Sequence, residues 1–174
     1  FRNVTGVQTC ALPILYLKSQ TTRITVNMKY LIPSTKRTHL IGETVDLLGK
    51  SNCLVYVHKN EYDDYLKVIS KDILRTHNVR GIGAIRKYLY EDNKDQDYIF
   101  QIDDDIRYFE YKFSERLTLI VDPDHIKSIV DNTYQVAYDI GTPLFSFAAG
   151  IGPMLYTQLD HFFFSGFVNF VDRK

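Results

Sequence analysis

Two cysteines among 174 residues cannot build the disulfide framework of a small secreted domain. Net charge is also missing. Lys and Arg number 21 and Asp and Glu number 21, so the formal charge is zero. No global basic field draws the chain onto nucleic acid or a membrane surface. No apolar run approaches the roughly 20 residues of a membrane-spanning helix, and no membrane partner is expected. No internal repeat or low-complexity tract is visible. The five histidines, His39, His58, His77, His125 and His161, show no metal-ligand spacing and read as surface or hydrogen-bonded residues. Neither a Ser–His–Asp set nor a P-loop is evident. What is present is apolar and aromatic: 45% hydrophobic and 14% aromatic, enough for a core and too much for a disordered chain. The length suits one domain, or one with part of a second.

Val4–Ile14 is similar, residue for residue, to the translation of a common short-read sequencing adapter. Residues 1–14 are therefore set aside as an artefactual leader, which fits a metagenomic source. Cys10 goes with them. Cys53 is then alone, no intramolecular disulfide forms, and a reducing, cytoplasmic location fits. The leader holds one Arg and no acid, so 20 basic residues face 21 acidic in the remainder. Met28 is an alternative start, although Ile24, Val26 and Met28 alternate with polar residues and run into Tyr30-Leu31-Ile32 as one strand.

That first strand, about 24–32, should stop at Pro33. Thr38 can cap a helix over Leu40, Ile41, Val45, Leu47 and Leu48, which Gly49 ends. Cys53–Val57 reads as a buried strand and Glu61–Val68 as an amphipathic helix with acids in its first turn. Asp72–Arg75 is a weaker strand. Asn78–Tyr88 is a glycine-containing turn running into a helix that ends near Glu91. Tyr98-Ile99-Phe100-Gln101-Ile102 is a short aromatic and β-branched run, a buried strand that ends in Asp103-Asp104-Asp105. The alternation implies an α/β fold, Rossmann-like, with a mostly parallel sheet flanked by helices. Right-handed crossovers then bring Pro33–Arg37, His58–Glu61 and Asp103–Asp105 to one crevice. Further on, Tyr108–Phe113 and Leu117–Val121 read as extended, and Asp122-Pro123 starts a helix that ends at Gly141. Leu144–Phe147 and Phe162–Val171 read as strands. The chain stops at Lys174 in core-forming sequence, which is expected of a C-terminally truncated fragment.

Three adjacent carboxylates repel one another and call for a cation, and a divalent metal on hard oxygen ligands is the natural one. The plainer reading is an acidic turn solvated at a strand end. Three stretches together narrow the choice. Leu31-Ile32-Pro33-Ser34 with Arg37, Asn78-x-x-Gly81-x-x-x-Ile85-Arg86-Lys87, and Ile102-Asp103-Asp104-Asp105 occur in the order and spacing of a GT-A fold glycosyltransferase, which the chain resembles over about residues 24–110. The resemblance implies a nucleotide-binding half at 24–110, a partial acceptor half at 111–174, and metal-dependent transfer of a sugar from a nucleotide-diphosphate sugar to an acceptor hydroxyl. The segment Tyr134…Asp139-Ile140-Gly141…Leu144-Phe145-x-Phe147 more narrowly resembles phage glycosyltransferases associated with TET-type hydroxylases, implying a hydroxymethylated base in DNA as acceptor. The sequence departs from the family pattern in places. Lys87 stands where the family has Asn, and His58 follows the second strand with the acid displaced to Glu61.

By the resemblance, Asp105 ligates Mn²⁺ or Mg²⁺ directly, Asp103 binds the ribose or a metal-bound water, and Asp104 is the solvated member at the edge of the nucleotide-sugar site. Pro33 and Ser34 shape the nucleotide cradle, or are simply a strand-ending turn. Arg37 pairs a phosphate or lies on the surface. Glu61 accepts from base or ribose, although a helix N-terminal acid is the stronger reading. Gly81 and Gly83 allow close backbone approach at a helix start that favours anions. Arg86 reaches the diphosphate or pairs with the aspartates. No catalytic base is assigned. Competing readings are a nucleotidyltransferase of similar fold, disfavoured because Pro33–Arg37 lacks glycine, and a non-catalytic nucleotide-binding module.

Overall fold

The computed structural model describes residues 28–96, 99–113, 116–141, 147 and 169–170. The sheet is built from β1 (Tyr30–Ser34), β2 (Cys53–His58), β3 (Leu74–His77) and β4 (Phe100–Gln101), parallel and in the order β3-β2-β1-β4. Helix α1 (Thr38–Leu48) connects β1 to β2, the one-turn helix α2 (Tyr62–Tyr65) lies between β2 and β3, and α3 (Ile82–Asp92) leads to β4. A hairpin follows, β5 (Phe109–Phe113) antiparallel to β6 (Arg116–Ile120), then α4 (Pro123–Asp139). A two-residue strand, β7 (Asn169–Phe170), pairs antiparallel with β4. The α/β class and the parallel sheet flanked by helices agree with the alternation in the sequence. No helix among the described residues is long and apolar enough to cross a membrane.

Strand side chains alternate between faces, and each face has its own core. Tyr30, Ile32, Val55, Val57 and Phe100 join Ile41, Val45 and Leu48 of α1, Tyr65, and Ile126, Val130 and Tyr134 of α4. Leu31, Tyr56 and Ile99 pack on the other face against Ile85 and Leu89 of α3. The first strands step away from β1 on one side, and β4 returns to its other side. Strand order therefore reverses between β1 and β4, where open α/β sheets leave a crevice at the C-terminal edge. The loop after β1 and the aspartate turn after β4 flank that crevice.

Several local expectations change. Pro33 does not stop β1 but lies within it, in register with Tyr56. Leu31 O accepts from Ile102 N, so the backbone at 31 and 33 faces β4, and Pro33 falls beyond the last paired residue of β4, where no ladder bond needs its missing N–H. Thr38 is the first helical residue and not the cap. Arg37 precedes α1 and makes no capping side-chain bond. The helix expected over Glu61–Val68 shrinks to a 3₁₀ turn at Lys59–Glu61 plus α2. Tyr65 and Ile69 are buried there and Tyr62 packs against the core in part, Leu66 and Val68 are exposed, and Ser70 starts the next turn by accepting from Asp72 N. The weak strand shifts to Leu74–His77, and β4 is only two residues long. Asp122 caps α4, with Pro123 in the first turn, and Gly141 follows its end at φ +68°. The strands expected at Leu144–Phe147 and Phe162–Val171 lie outside the described residues apart from Phe147 and β7, as do residues 24–27 and Tyr98.

Candidate functional site

The crevice is closed by one hydrogen-bonded relay. Arg37 N–H donates to the Tyr65 phenol oxygen at 3.1 Å. Ser34 Oγ lies 2.7 Å from the same oxygen and donates its proton to Asp104 Oδ2. That proton is thereby committed, so the Tyr65 hydroxyl donates to Ser34. Burial raises the Tyr65 phenol above its ordinary pKa, which keeps the proton that the relay uses. Thr44 of α1 donates to the backbone oxygens of Asp104 at 2.9 Å and Ile106 at 3.1 Å. The ends of β1 and β4 and helices α1 and α2 thus converge on Asp104, Ser34 and Arg37 bonding its carboxylate, Thr44 its backbone, and Tyr65 bracing Ser34.

Asp104 is therefore the buried member of the triplet, its side chain 6% exposed, and the expectation of a solvated Asp104 is corrected. The turn at Asp104-Asp105 brings both carboxylates onto Arg37 Nη1, each at 2.9 Å. Asp105 and Arg37 stay near half exposed, at 47% each. These two acids, Asp104 first, raise the guanidinium's pKa above its ordinary value. Asp103 turns the other way and pairs with Arg86 Nη2 at 3.0 Å. Burial pushes the Asp103 carboxyl above the usual carboxylate range. Arg86 offsets part of that push, and Asp105 and Asp104 add to it.

Two adjoining cavities occupy the crevice. The first, about 500 Å³, is lined by Pro33, Thr35, Arg37, Gly81, Ile82, Ile85, Arg86, Asp103 and Asp104. The second, about 560 Å³, shares Thr35, Gly81 and Ile85 and adds Lys36, His58, Asn60, Glu61, His77, Val79 and Arg80. Gly81 stands at φ +88°, a left-handed conformation that favours glycine, at the start of α3. Gly83 lies inside the helix with open space around its α-carbon, so no close approach requires it. Lys36 holds φ +55°, a strained conformation for a long side chain. Its N–H donates to Glu61 Oε2 at 2.7 Å. Glu61 thus fixes the β1–α1 turn as well as standing at the start of α2.

The three sequence motifs are brought together as expected. Missed were Thr44, whose hydroxyl binds the aspartate turn, Tyr65, whose hydroxyl binds Ser34 and the Arg37 backbone beside it, and His77. His77 is 4% exposed, and neither ring nitrogen has a hydrogen-bond partner among the described residues. The expectation of a surface or satisfied histidine is corrected there. The His77 ring sits 5.9 Å from His58 and 6.0 Å from Tyr88. Burial and the His58 neighbour lower its pKa, and the Val79 backbone and Glu61 oppose this weakly. Cys53 is buried under the sheet, and its thiol is pushed up to about 12, so it carries no chemistry here.

Removing the buried carboxylate should cost more than removing the exposed one. Asp104→Ala strands Ser34, Arg37 and the turn, and should lower the unfolding free energy by on the order of 1–3 kcal/mol. Asp105→Ala should cost less than about 1 kcal/mol. Urea denaturation measures both, and equal losses would contradict the assignment. His77 also sets a pH dependence. Its folded pKa lies below the roughly 6.5 of an unfolded histidine, so the unfolded chain binds more protons in between. Stability should hold above that pH and fall as acid takes the solution down through the lowered folded value. His77→Phe should flatten this acid limb in Tm measurements, and an unchanged limb would refute the assignment.

Compared with protein-family models, curated proteins and solved structures, the chain matches none.

Proposed function

We propose that the chain binds a nucleotide-diphosphate sugar with Mn²⁺ or Mg²⁺ in the β1–β4 crevice and transfers the sugar to an acceptor hydroxyl. One observation carries this reading. The aspartate turn, Arg37, Arg86 and the N-terminus of α3 share one cleft where the strand order reverses. Arginine forks and a helix N-terminus suit a diphosphate. Carboxylates beside them suit a hard cation that bridges the phosphates.

The donor set fits such an ion. Among the described residues no three His, Cys, Asp or Glu side chains converge as a full ligand set. An ion held largely by phosphates and water needs only one or two carboxylates. Asp105, which Arg37 engages through Oδ2, and Asp103 would hold it. Asp104 has both oxygens engaged, by Ser34 and Arg37, and is better placed to position the turn. When bound, the ion stabilises negative charge building on the leaving diphosphate. Arg37 would exchange Asp105 for a phosphate oxygen. Arg86 would orient Asp103 from the wall of the cleft, and Pro33 and Thr35 would form its floor. The acceptor is left as a hydroxyl. The narrower reading, a hydroxymethylated base in phage DNA, rests on the resemblance of residues 134–147. Packing accounts for Tyr134, which is buried, and for Phe147, which lies 6.1 Å from the rings of both Phe100 and Phe109.

The absence of a three-carboxylate or histidine cluster among the described residues favours one competing reading: a non-catalytic nucleotide-binding module in which the arginines alone meet the phosphates. Isothermal titration with UDP- and GDP-sugars separates the two. Binding that requires Mn²⁺ and is lost in Asp105→Ala is expected of the transferase. Binding indifferent to Mn²⁺ favours the module, and no binding at all overturns both.

A further inference from the structure

We infer that Thr44 is the positioning residue for Asp105, gripping the backbone on both sides of the carboxylate that the proposed ion would use. This rests on the metal–diphosphate reading of the crevice and adds to it a residue that touches neither ligand. Thr44 is fully buried and lies in the stripe of α1 that also holds Ile41, Val45 and Leu48. The spacing i, i+3, i+4, i+7 makes this the core face of the helix, where an apolar side chain of the same shape would pack as well. A hydroxyl there needs a partner. It finds two outside its own helix. The backbone oxygens of Asp104 at 2.9 Å and Ile106 at 3.1 Å share its one proton. These are the residues immediately before and after Asp105.

The turn has little else to fix its main chain. Among the described residues, no backbone–backbone hydrogen bond of ordinary geometry closes within 103–107. The other ties fall on carboxylates: Ser34 and Arg37 on Asp104, Arg37 on Asp105, and Arg86 on Asp103. In the free chain, then, the Asp105 side chain is tied through Arg37 Nη1. Ligand binding takes that tie away, because Arg37 turns to a phosphate oxygen. Asp104 keeps Ser34 and Asp103 keeps Arg86, so neither depends on the exchange in the same way. What then holds the Asp105 carboxylate at the ion is the backbone on either side of it, and Thr44 holds that backbone. Partners that orient an ion's ligands without touching the ion are worth about 10- to 100-fold in metal affinity.

The test follows uptake of Mn²⁺ by the full chain in the presence of inorganic pyrophosphate, through the free-ion EPR signal. Thr44→Val keeps the shape and removes the donor, and should weaken uptake roughly tenfold. Thr44→Ser keeps the donor and should restore uptake to within about twofold of the wild type. Thr44→Ala and Thr44→Ser differ by one hydroxyl, so that pair repeats the comparison even where valine does not fold. Val45→Ala, buried on the same helix face, is the control for a purely structural loss. It should lower Tm and leave uptake unchanged. Circular dichroism melts place the titration temperature below every transition. Unchanged uptake in Thr44→Val and Thr44→Ala, no recovery in Thr44→Ser, or equal weakening in Val45→Ala overturns the inference and leaves the metal–diphosphate site standing. A wild-type chain that takes up no more Mn²⁺ with pyrophosphate than without it removes the site itself.

Discussion

Three carboxylates in sequence at the end of a strand make the constraint that the crevice has to satisfy. Like charges about 4 Å apart repel by about 4 kcal/mol at the effective dielectric of a protein surface. The fold answers by giving each an arginine, with Asp104 and Asp105 sharing Arg37 and Asp103 turned away to Arg86. Asp104 goes inward to Ser34 and Arg37, Asp105 stays outside on the same arginine, and Asp103 crosses to Arg86 on α3. The partners come from β1 and the loop after it, from α1 and from α3, so the turn can form only where β1, α1, α3 and β4 already meet. Burying Asp104 alone would be costly. Two hydrogen bonds to its oxygens and Thr44 on its backbone make the position tolerable.

The same arrangement leaves the site charged but internally balanced. Arg37 touches two aspartates and Arg86 one, so in the free chain the arginines are held by acids at the place where a diphosphate would need them. An anion alone must compete with the carboxylates, and a cation alone must compete with the guanidinium. A cation and a diphosphate arriving together satisfy both sets at once. That coupling is the physical argument for a metal–diphosphate site over a simple anion site. It also gives Asp103, pushed above the usual carboxylate range by burial, a reason to sit beside a cation that would favour its charged form.

Much of this was legible in the sequence. The β-branched runs around Ile32 and Val55 and the helical spacing from Leu40 to Leu48 gave the elements. Their alternation gave the parallel sheet, and the sheet gave the shared crevice. What could not be read was which face each polar residue meets. Asp104 looked like the solvated acid because nothing local distinguishes it from Asp105. Its burial depends on Ser34, Tyr65 and Thr44, which lie roughly forty to seventy positions away in the chain. His77 looked ordinary for the same reason: its enclosure by His58 and Tyr88 exists only once β2, β3 and α3 pack. Pro33 misled because proline is normally excluded from inner strands, and only the shortness of β4 admits it.

The central claim is that cation and diphosphate bind the aspartate–arginine crevice as a pair. Titrating the chain with Mn²⁺ and following the free-ion EPR signal, with and without pyrophosphate, tests it most directly. The account predicts weak uptake of Mn²⁺ alone and at least roughly tenfold tighter uptake with pyrophosphate, with reciprocal tightening of pyrophosphate by Mn²⁺. Equal uptake of Mn²⁺ in the presence and absence of pyrophosphate, once Mn²⁺ held by free pyrophosphate is subtracted, would contradict it.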